Sequence, residues 1–165
     1  MKHLILLFLI LGFALGQELY TEFIKSQIKE IPLNKAIVLG KGKRELITFI
    51  NPDCGHCRKE WQALKPHLDK VKVYVFLLPF RSFPESFAKS NYIACSRDKL
   101  KALDEVLSGK FDGNPPQVKD CPLVQEHIRV AEKLNVQSTP YNIILGKYKV
   151  IEGYSPALLE HLGIR

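Results

Sequence analysis

Two cysteines three positions apart, Cys54 and Cys57, enclose Gly55 and His56. They follow an apolar, β-prone run, Leu46 to Ile50, and the turn signal Asn51-Pro52-Asp53. A helix-compatible run, Arg58 to Leu68, comes directly after them. At such a strand-to-helix junction both side chains fall in the first helical turn, where free backbone N–H groups and the positive end of the helix dipole gather. That setting favours thiolate over thiol and predicts a lowered pKa for Cys54, the cysteine nearest the helix start. Each pKa unit is worth about 1.4 kcal/mol of preferential thiolate stabilisation. The chemistry this suits is thiol–disulfide exchange. Zinc half-sites use the same spacing but need a second ligand pair, and a purely structural disulfide is the third reading. The strand–helix setting favours the redox dithiol.

Two further cysteines, Cys95 and Cys121, make four in all. Four cysteines allow about three pairings, and spacing does not select among them. If Cys54 pairs with Cys57, the other two remain as a candidate structural bridge in an oxidising compartment. Closing that loop would constrain the unfolded chain by roughly 3.5 kcal/mol. A four-cysteine metal site is the alternative, although Cys95 and Cys121 lack the close spacing of a second zinc knuckle. No metal is expected.

The chain has 165 residues, of which 46% are hydrophobic, so it is a single domain's worth of foldable sequence and not a disordered protein. Met1-Lys2-His3, the apolar run Leu4–Leu15 and the small residues Ala14 and Gly16 read as a secretory signal over 1–16, cleaved before Gln17. An uncleaved anchor is the competing reading, but the run is shorter than the roughly 20 residues a spanning helix needs. The mature chain is therefore expected in the periplasm or otherwise exported. Its formal charge of +7 is spread among acids without a basic run, which predicts a solvated basic surface and no nucleic-acid partner.

Residues 17–35 form the predicted N-terminal segment, with a helix over Glu18–Ile31 ended by Pro32. Ala36–Leu39 reads as a short strand, turned by Gly40-Lys41-Gly42 into the strand that ends at Ile50, as a hairpin. Val71–Leu78 is the next strand, and the helix between the two makes them parallel neighbours in a β–α–β unit. Helical patterns over Glu85–Cys95, Asp98–Leu107 and Leu123–Leu134 predict a helical insertion from about 83 to 134. Tyr141–Leu145 and Tyr148–Ile151 follow as strands, and Ser155 is the predicted cap of a last helix, Pro156–Leu162. His67 and His127 have no ligand spacing and read as helix-surface residues. Trp61 and Tyr141 read as aromatics that pack the site.

Cys54-Gly55-His56-Cys57 at a strand–helix junction, with Ser138-Thr139-Pro140 before a late strand, resembles the thioredoxin superfamily. The insertion holding Ala94-Cys95 and Cys121-Pro122, together with Val136-Gln137-Ser138-Thr139-Pro140 and Gly153-Tyr154, resembles the catalytic domain of bacterial periplasmic disulfide isomerases of the DsbC/DsbG type. The resemblance covers roughly residues 36–162. It implies an α/β, thioredoxin-like fold over 36–165, a central mixed sheet flanked by helices. It implies that Cys54 is the exposed nucleophile, Cys57 the buried resolving cysteine and His56 a thiolate-favouring neighbour. It further implies that Pro140 is a cis-proline preceded by Thr139 and facing clients, and that Cys95–Cys121 is the structural bridge. Two departures stand out. The isomerases carry an N-terminal dimerisation domain, expected to be absent here. Thioredoxin-type reductases and oxidases place a buried acid near Thr48 on the strand, a role Thr48 cannot fill and which the isomerases also leave unfilled.

The expected activity is disulfide interchange on cysteine-containing secreted proteins, with no cofactor beyond the Cys54–Cys57 disulfide and with a membrane or soluble redox partner to reset it. A dedicated reductase for client cysteines awaiting haem or copper, and a non-enzymatic metal-binding or chaperone module, are the competing readings.

Overall fold

Arg44–Ile50 forms strand β2, and its last five residues are all buried, as a strand covered on both faces requires. The computed structural model describes residues 2–164. Met1, Arg165 and the side chains of residues 2–4, which carry the expected basic start of the signal, lie outside the described residues. The chain divides into two units, 1–31 and 32–165.

In the first unit, helix α1 (Lys2–Lys29) is a single helix. It holds only two glycines, Gly12 and Gly16, and no proline, so no break separates the apolar run from the helix expected after it. Ile5–Lys29 is long and apolar enough to cross a membrane, with a mean hydropathy of 1.4 and none of its most apolar window buried. An exposed apolar helix at this position suggests a signal sequence.

The second unit is built on a five-stranded sheet in the order β1 (Ile37–Leu39), β3 (Val71–Leu77), β2, β4 (Tyr141–Ile144), β5 (Lys149–Glu152). β2 and β3 are parallel, with Leu46 opposite Val73; the other pairs are antiparallel. Helix α2 (Gly55–Leu64) joins β2 to β3. Helices α3 (Ser86–Cys95) and α4 (Lys99–Leu107) are inserted after β3, α5 (Pro122–Lys133) leads back to β4, and α6 (Leu158–His161) closes the chain. The mixed sheet flanked by helices, with its inserted helical segment, is the thioredoxin-like fold. On one face, Thr48 and Ile50 meet Cys57, Trp61 and Leu64 of α2 and Leu103 of α4. On the other, Phe49 stacks on Phe76 at 5.0 Å, and His127 of α5 meets Phe76 edge-on at 4.9 Å.

The expected hairpin between β1 and β2 does not form. β1 pairs with β3, Ile37 opposite Val75, so β3 lies between the two. The glycines serve a crossing instead of a tight turn. A Cβ on Gly40 would sit 2.2 Å from the Val71 carbonyl oxygen, and one on Gly42 would sit 1.8 Å from the Lys70 carbonyl carbon. Only glycine lets the chain pass this close to the start of β3. At the other end, the last helix starts later than expected. Ser155 Oγ accepts from the Ala157 N–H at 3.3 Å, and Ala157, not Ser155, precedes α6.

His127 is also not the surface residue its spacing indicated. It is fully buried. Its Nδ1 accepts from the Leu77 N–H at 2.9 Å, which makes Nε2 the donor to the Lys35 carbonyl at 2.7 Å. Burial lowers its pKa, so the ring is held neutral. A folded-state pKa below the unfolded value of about 6.5 gives stability that is present above that pH and lost as pH falls. We expect His127→Gln to cost about 1–3 kcal/mol at pH 7, from imperfect replacement of two buried hydrogen bonds. The cost should shrink by up to about 1.4 kcal/mol per pH unit below about pH 6.5. Urea unfolding of both proteins at pH 7 and pH 5 measures this difference.

Candidate active site

The site begins where β2 runs out. Asn51, fully buried, folds its side chain over the turn: Oδ1 accepts from the Asp53 N–H at 2.9 Å, and its carbonyl accepts from the Cys54 N–H at 3.1 Å. Such an Asx turn fixes the entry to the next helix. Cys54 then occupies the N-cap of α2, in extended backbone, and no side chain caps the helix. The free amides of the first turn are left to the Cys54 sulfur.

Cys54 and Cys57 are both free thiols, the first half-buried and the second buried. The Cys57 thiol is the main donor to the Cys54 sulfur, with further help from the backbone N–H groups of Cys57 and His56 and from Thr139. Together they outweigh burial and lower the Cys54 pKa to about 5. Cys57 moves the other way: burial, then the neighbouring Cys54, push its thiol far above the ordinary range. One cysteine is a half-buried thiolate at neutral pH and the other a buried thiol. Alkylation of reduced Cys54 should therefore have its half-maximal rate near pH 5, against about 8.5 for a free cysteine. Mass-resolved iodoacetamide labelling between pH 3 and 9 reads this directly, and Cys57 should stay unlabelled throughout.

The loop before β4 comes to the same place. The Thr139–Pro140 peptide bond is cis, and the Cys54 thiol lies 3.4 Å from the Thr139 carbonyl. The Pro140 carbonyl accepts from the Gly153 N–H at 2.7 Å, so the loop after β5 pins it. His56 is exposed, its ring roughly parallel to that of Tyr154 at 6.4 Å. Four of the expected residues, Cys54, Cys57, Thr139 and Pro140, thus meet at the end of the sheet, with His56 at the rim. Cys95 and Cys121 are bonded to each other, the last residue of α3 to the residue before α5. Their bridge fastens the insertion.

Beneath Cys57 lies a carboxylate. Glu60 of α2, 1% exposed, accepts from Thr48 Oγ1 of β2 at 3.2 Å and from Asn142 Nδ2 of β4 at 2.7 Å. Thr48 and Asn142 are directly opposite in the β2–β4 ladder, so one side chain clamps both strands. Burial, opposed by these two hydrogen bonds and aided by the Cys54 charge, raises the Glu60 pKa to about 7.

A second polar cluster ties the cysteine loop to the insertion. The ammonium of Lys89 on α3 is buried and meets Asp53, Asp112 at 2.7 Å and Glu85 at 2.8 Å. Arg58 of α2 holds Asp112 through its two terminal guanidinium nitrogens, at 2.6 and 2.7 Å, and donates from Nε to the Pro52 carbonyl at 3.3 Å. The Arg58 hydrogen bond, then that of Lys89, keeps the Asp112 carboxyl far below its ordinary range. The three carboxylates are close enough together to suit a cation, and the cation they hold is Lys89.

A family model for the thioredoxin-like domain matches residues 32–160. The chain belongs to the thioredoxin-like family. Among curated relatives, a probable thiol:disulfide interchange protein DsbC of Bordetella avium is 37% identical over 114 residues, 67% of this chain and 39% of that protein. The thiol:disulfide interchange protein DsbC of Salmonella typhimurium is 28% identical over 137 residues, 81% of this chain and 56% of its own. The chain thus spans between about two fifths and somewhat over half of these relatives. Among solved structures, a disulfide interchange protein from Neisseria gonorrhoeae superposes with a TM-score of 0.67 at 27% identity, covering 81% of this chain and 96% of that one. The catalytic domain of Proteus mirabilis ScsC, at 16% identity and a TM-score of 0.62 over 86% of this chain and 95% of its own, shares the fold.

The strand–helix junction and the proline loop are both visible in the sequence as short motifs. Glu60 and Lys89 were not visible in that way. Glu60 stands three residues after Cys57, which puts both on one helix face, and an acid on the apolar face of α2 was the available signal. Lys89 showed only its i,i+4 spacing to Glu85, which reads as a surface pair, since its other partners Asp53 and Asp112 are 36 and 23 residues away. Trp61 packs as expected, nearly buried, with Nε1 donating to Asp104 at 3.0 Å.

Proposed function

We propose that this protein is an exported thiol–disulfide oxidoreductase that interchanges the disulfides of secreted, cysteine-containing proteins. The observation that supports this most is the opposed pair: Cys54 as a half-exposed thiolate at the start of α2, Cys57 as a buried thiol, with the cis Thr139–Pro140 loop against the Cys54 sulfur. The interchange proteins among its relatives support the same reading.

In the cycle, the Cys54 thiolate attacks one sulfur of a client disulfide. The client S–S bond breaks, a Cys54–client bond forms, and the other client sulfur leaves as a thiolate. Cys57 then attacks Cys54 and releases the client reduced, with two electrons passed from the dithiol. Alternatively the freed client thiol attacks the mixed disulfide, and the client leaves rearranged with the dithiol unchanged. The backbone at Thr139 and Pro140 would receive an extended client segment by strand addition, and His56 at the rim would favour the thiolate as a leaving group. A membrane or soluble redox partner resets the pair. The apolar α1 supplies the export signal.

The test is recovery of activity by a scrambled, disulfide-bonded client in glutathione buffer with catalytic amounts of the mature protein. Faster recovery than buffer alone, lost with Cys54→Ser, supports interchange. Reduction of the client without recovery would replace this reading with that of a dedicated reductase.

A further inference from the structure

We propose that the end of the sheet remote from Cys54 docks on an anionic lipid bilayer, holding the protein with its cysteines turned away from the membrane. The proposal goes beyond the exchange reading and does not rest on it.

The formal charge of +7 lies wholly in residues 32–165, because residues 1–31 hold three basic and three acidic residues. The sheet gathers much of that charge at one end. β2 and β3 run parallel with Arg44 opposite Val71, so Lys43, Arg44 and Lys70 come together where both strands start. β4 finishes at the same end, with Ile144 opposite Lys149, and the turn between them adds Lys147. Lys41 joins through its N–H, which donates to the Leu68 carbonyl at 2.9 Å. All six side chains are exposed.

Little in the chain neutralises them. Glu45 of β2 is taken by Lys72 at 3.7 Å and by the Tyr74 hydroxyl at 2.7 Å. Asp69, beside Lys70 in the chain, and Glu160, beside His161, make two acids against six basic groups. Among the described residues none of the six pairs with a carboxylate. Lys147 donates to the His161 carbonyl at 2.6 Å and Lys149 to the His161 ring at 3.1 Å, while the side chains of Lys41, Lys43 and Lys70 have no partner. A carbonyl and an imidazole leave the lysine charges uncancelled, and a surface of one sign repels itself until an anionic partner covers it.

A bilayer suits this pole better than an acidic client does. β2 is seven residues long, so a client segment held at the pole lies about 20 Å from the thiolate it has to meet. The charges are also spread over three chain segments instead of converging on one point, and a fluid bilayer brings anionic headgroups to wherever they stand. Lys43, Arg44 and Lys147 line a cleft of about 380 Å³ with the apolar Ile144 and Leu162 and the already paired Glu45. Basic groups beside apolar side chains match the phosphate and glycerol of a phospholipid. The chain also brings itself to a membrane, since Ile5–Lys29 is long and apolar enough to cross one. Docked by this pole, the sheet points the start of α2, and Cys54 with it, away from the lipid and toward clients.

The test is co-sedimentation of the mature protein, which lacks the apolar run of α1, with vesicles of phosphatidylcholine and phosphatidylglycerol in about a 2:1 ratio. We expect binding at about 0.1 M salt, none to phosphatidylcholine alone, and release at about 1 M salt, where the Debye length falls from about 10 Å to about 3 Å. Each basic side chain near an anionic surface is worth about fivefold in affinity, so Lys41→Gln, Lys43→Gln and Lys70→Gln together should weaken binding about 100-fold. These side chains have no partner to lose, so the variant keeps its fold. Lys59→Gln, Arg81→Gln and Arg129→Gln together remove the same charge from the first turn of α2, the loop after β3 and α5, and should change affinity by less than about fivefold. Equal weakening by the two variants would overturn the proposal, because net charge alone would then set the binding. Failure to bind the anionic vesicles, or binding that survives high salt, would overturn it as well. Displacement by inorganic phosphate at constant ionic strength would make the pole a small-anion site and overturn the assignment to a bilayer.

Discussion

Cys54→Ser should lower thiol–disulfide exchange by at least about 10³-fold, while Cys57→Ser should leave the first half-reaction running and stall the second. Removing a nucleophile outright acts on that scale or above it. The asymmetry follows from burial and hydrogen bonding around the two sulfurs. Cys54, with its pKa lowered to about 5, is a thiolate at neutral pH and half-exposed to a client. A serine hydroxyl there is neither ionised nor able to form the bond. Cys57 is buried and protonated, so a client reaches it only after Cys54 has been engaged. Cys57→Ser should therefore accumulate client–protein mixed disulfides. They would appear on non-reducing gels as adducts at the summed mass and vanish on adding dithiothreitol. Adducts formed by Cys54→Ser instead would reverse the assignment of the two cysteines.

Lys89→Met is expected to lose about 2–4 kcal/mol of folding stability at pH 7. Removing one partner from a buried ionic cluster leaves the others uncompensated, at about 3–5 kcal/mol where all are buried. Here the ammonium is buried but Asp112 and Glu85 are partly exposed, and solvent screening lowers the figure. The sign with pH is set by the carboxylates. Lys89 and Arg58 depress the Asp112 pKa, and Lys89 together with the Gly113 N–H depresses that of Glu85. Stability from this cluster is thus present above the unfolded carboxylate pKa of about 4 and lost as pH falls. Without Lys89 the carboxylates take up protons more easily, so the deficit should shrink between about pH 5 and pH 4. Denaturant unfolding of the oxidised proteins at pH 7 and 4.5 checks both statements. Because Asp53 precedes Cys54 directly, the variant should also loosen the cysteine loop and broaden the pH profile of Cys54 alkylation.

The parts of this molecule that were legible in the sequence are those set by neighbours along the chain. The β2–α2 junction needs only an apolar strand, an Asx turn and a helix start, all within residues 46–64, and the parallel pairing of β2 with β3 follows from the helix between them. Turn chemistry is local, so the glycines at 40 and 42 read as a hairpin from their neighbours alone. Their actual use, letting the chain cross the start of β3, depends on a strand about thirty residues ahead. The same holds for the polar interior. Asn142 reaches Glu60 from 82 residues away, and His127 spans 50 residues to Leu77 and 92 to Lys35. No periodicity carries such pairings. His127 lay on a helix with a solvated face, and only the packed sheet decides which face it joins. Glu60, the buried acid paired with Thr48, comes from the helix side of that contact, where a strand-based motif has no means of placing it.

If Cys54–Cys57 is the redox pair proposed above, the Cys54 thiolate stabilises its reduced state. Stabilising the reduced form makes the disulfide a better oxidant. The most direct measurement is the equilibrium between the mature protein and glutathione, read by separating the reduced and oxidised forms. A reduction potential between roughly −120 and −200 mV is predicted, in the range of oxidants and isomerases. A value near about −270 mV, where a general reductant lies, or failure of Cys54 and Cys57 to form a disulfide at all, would contradict it.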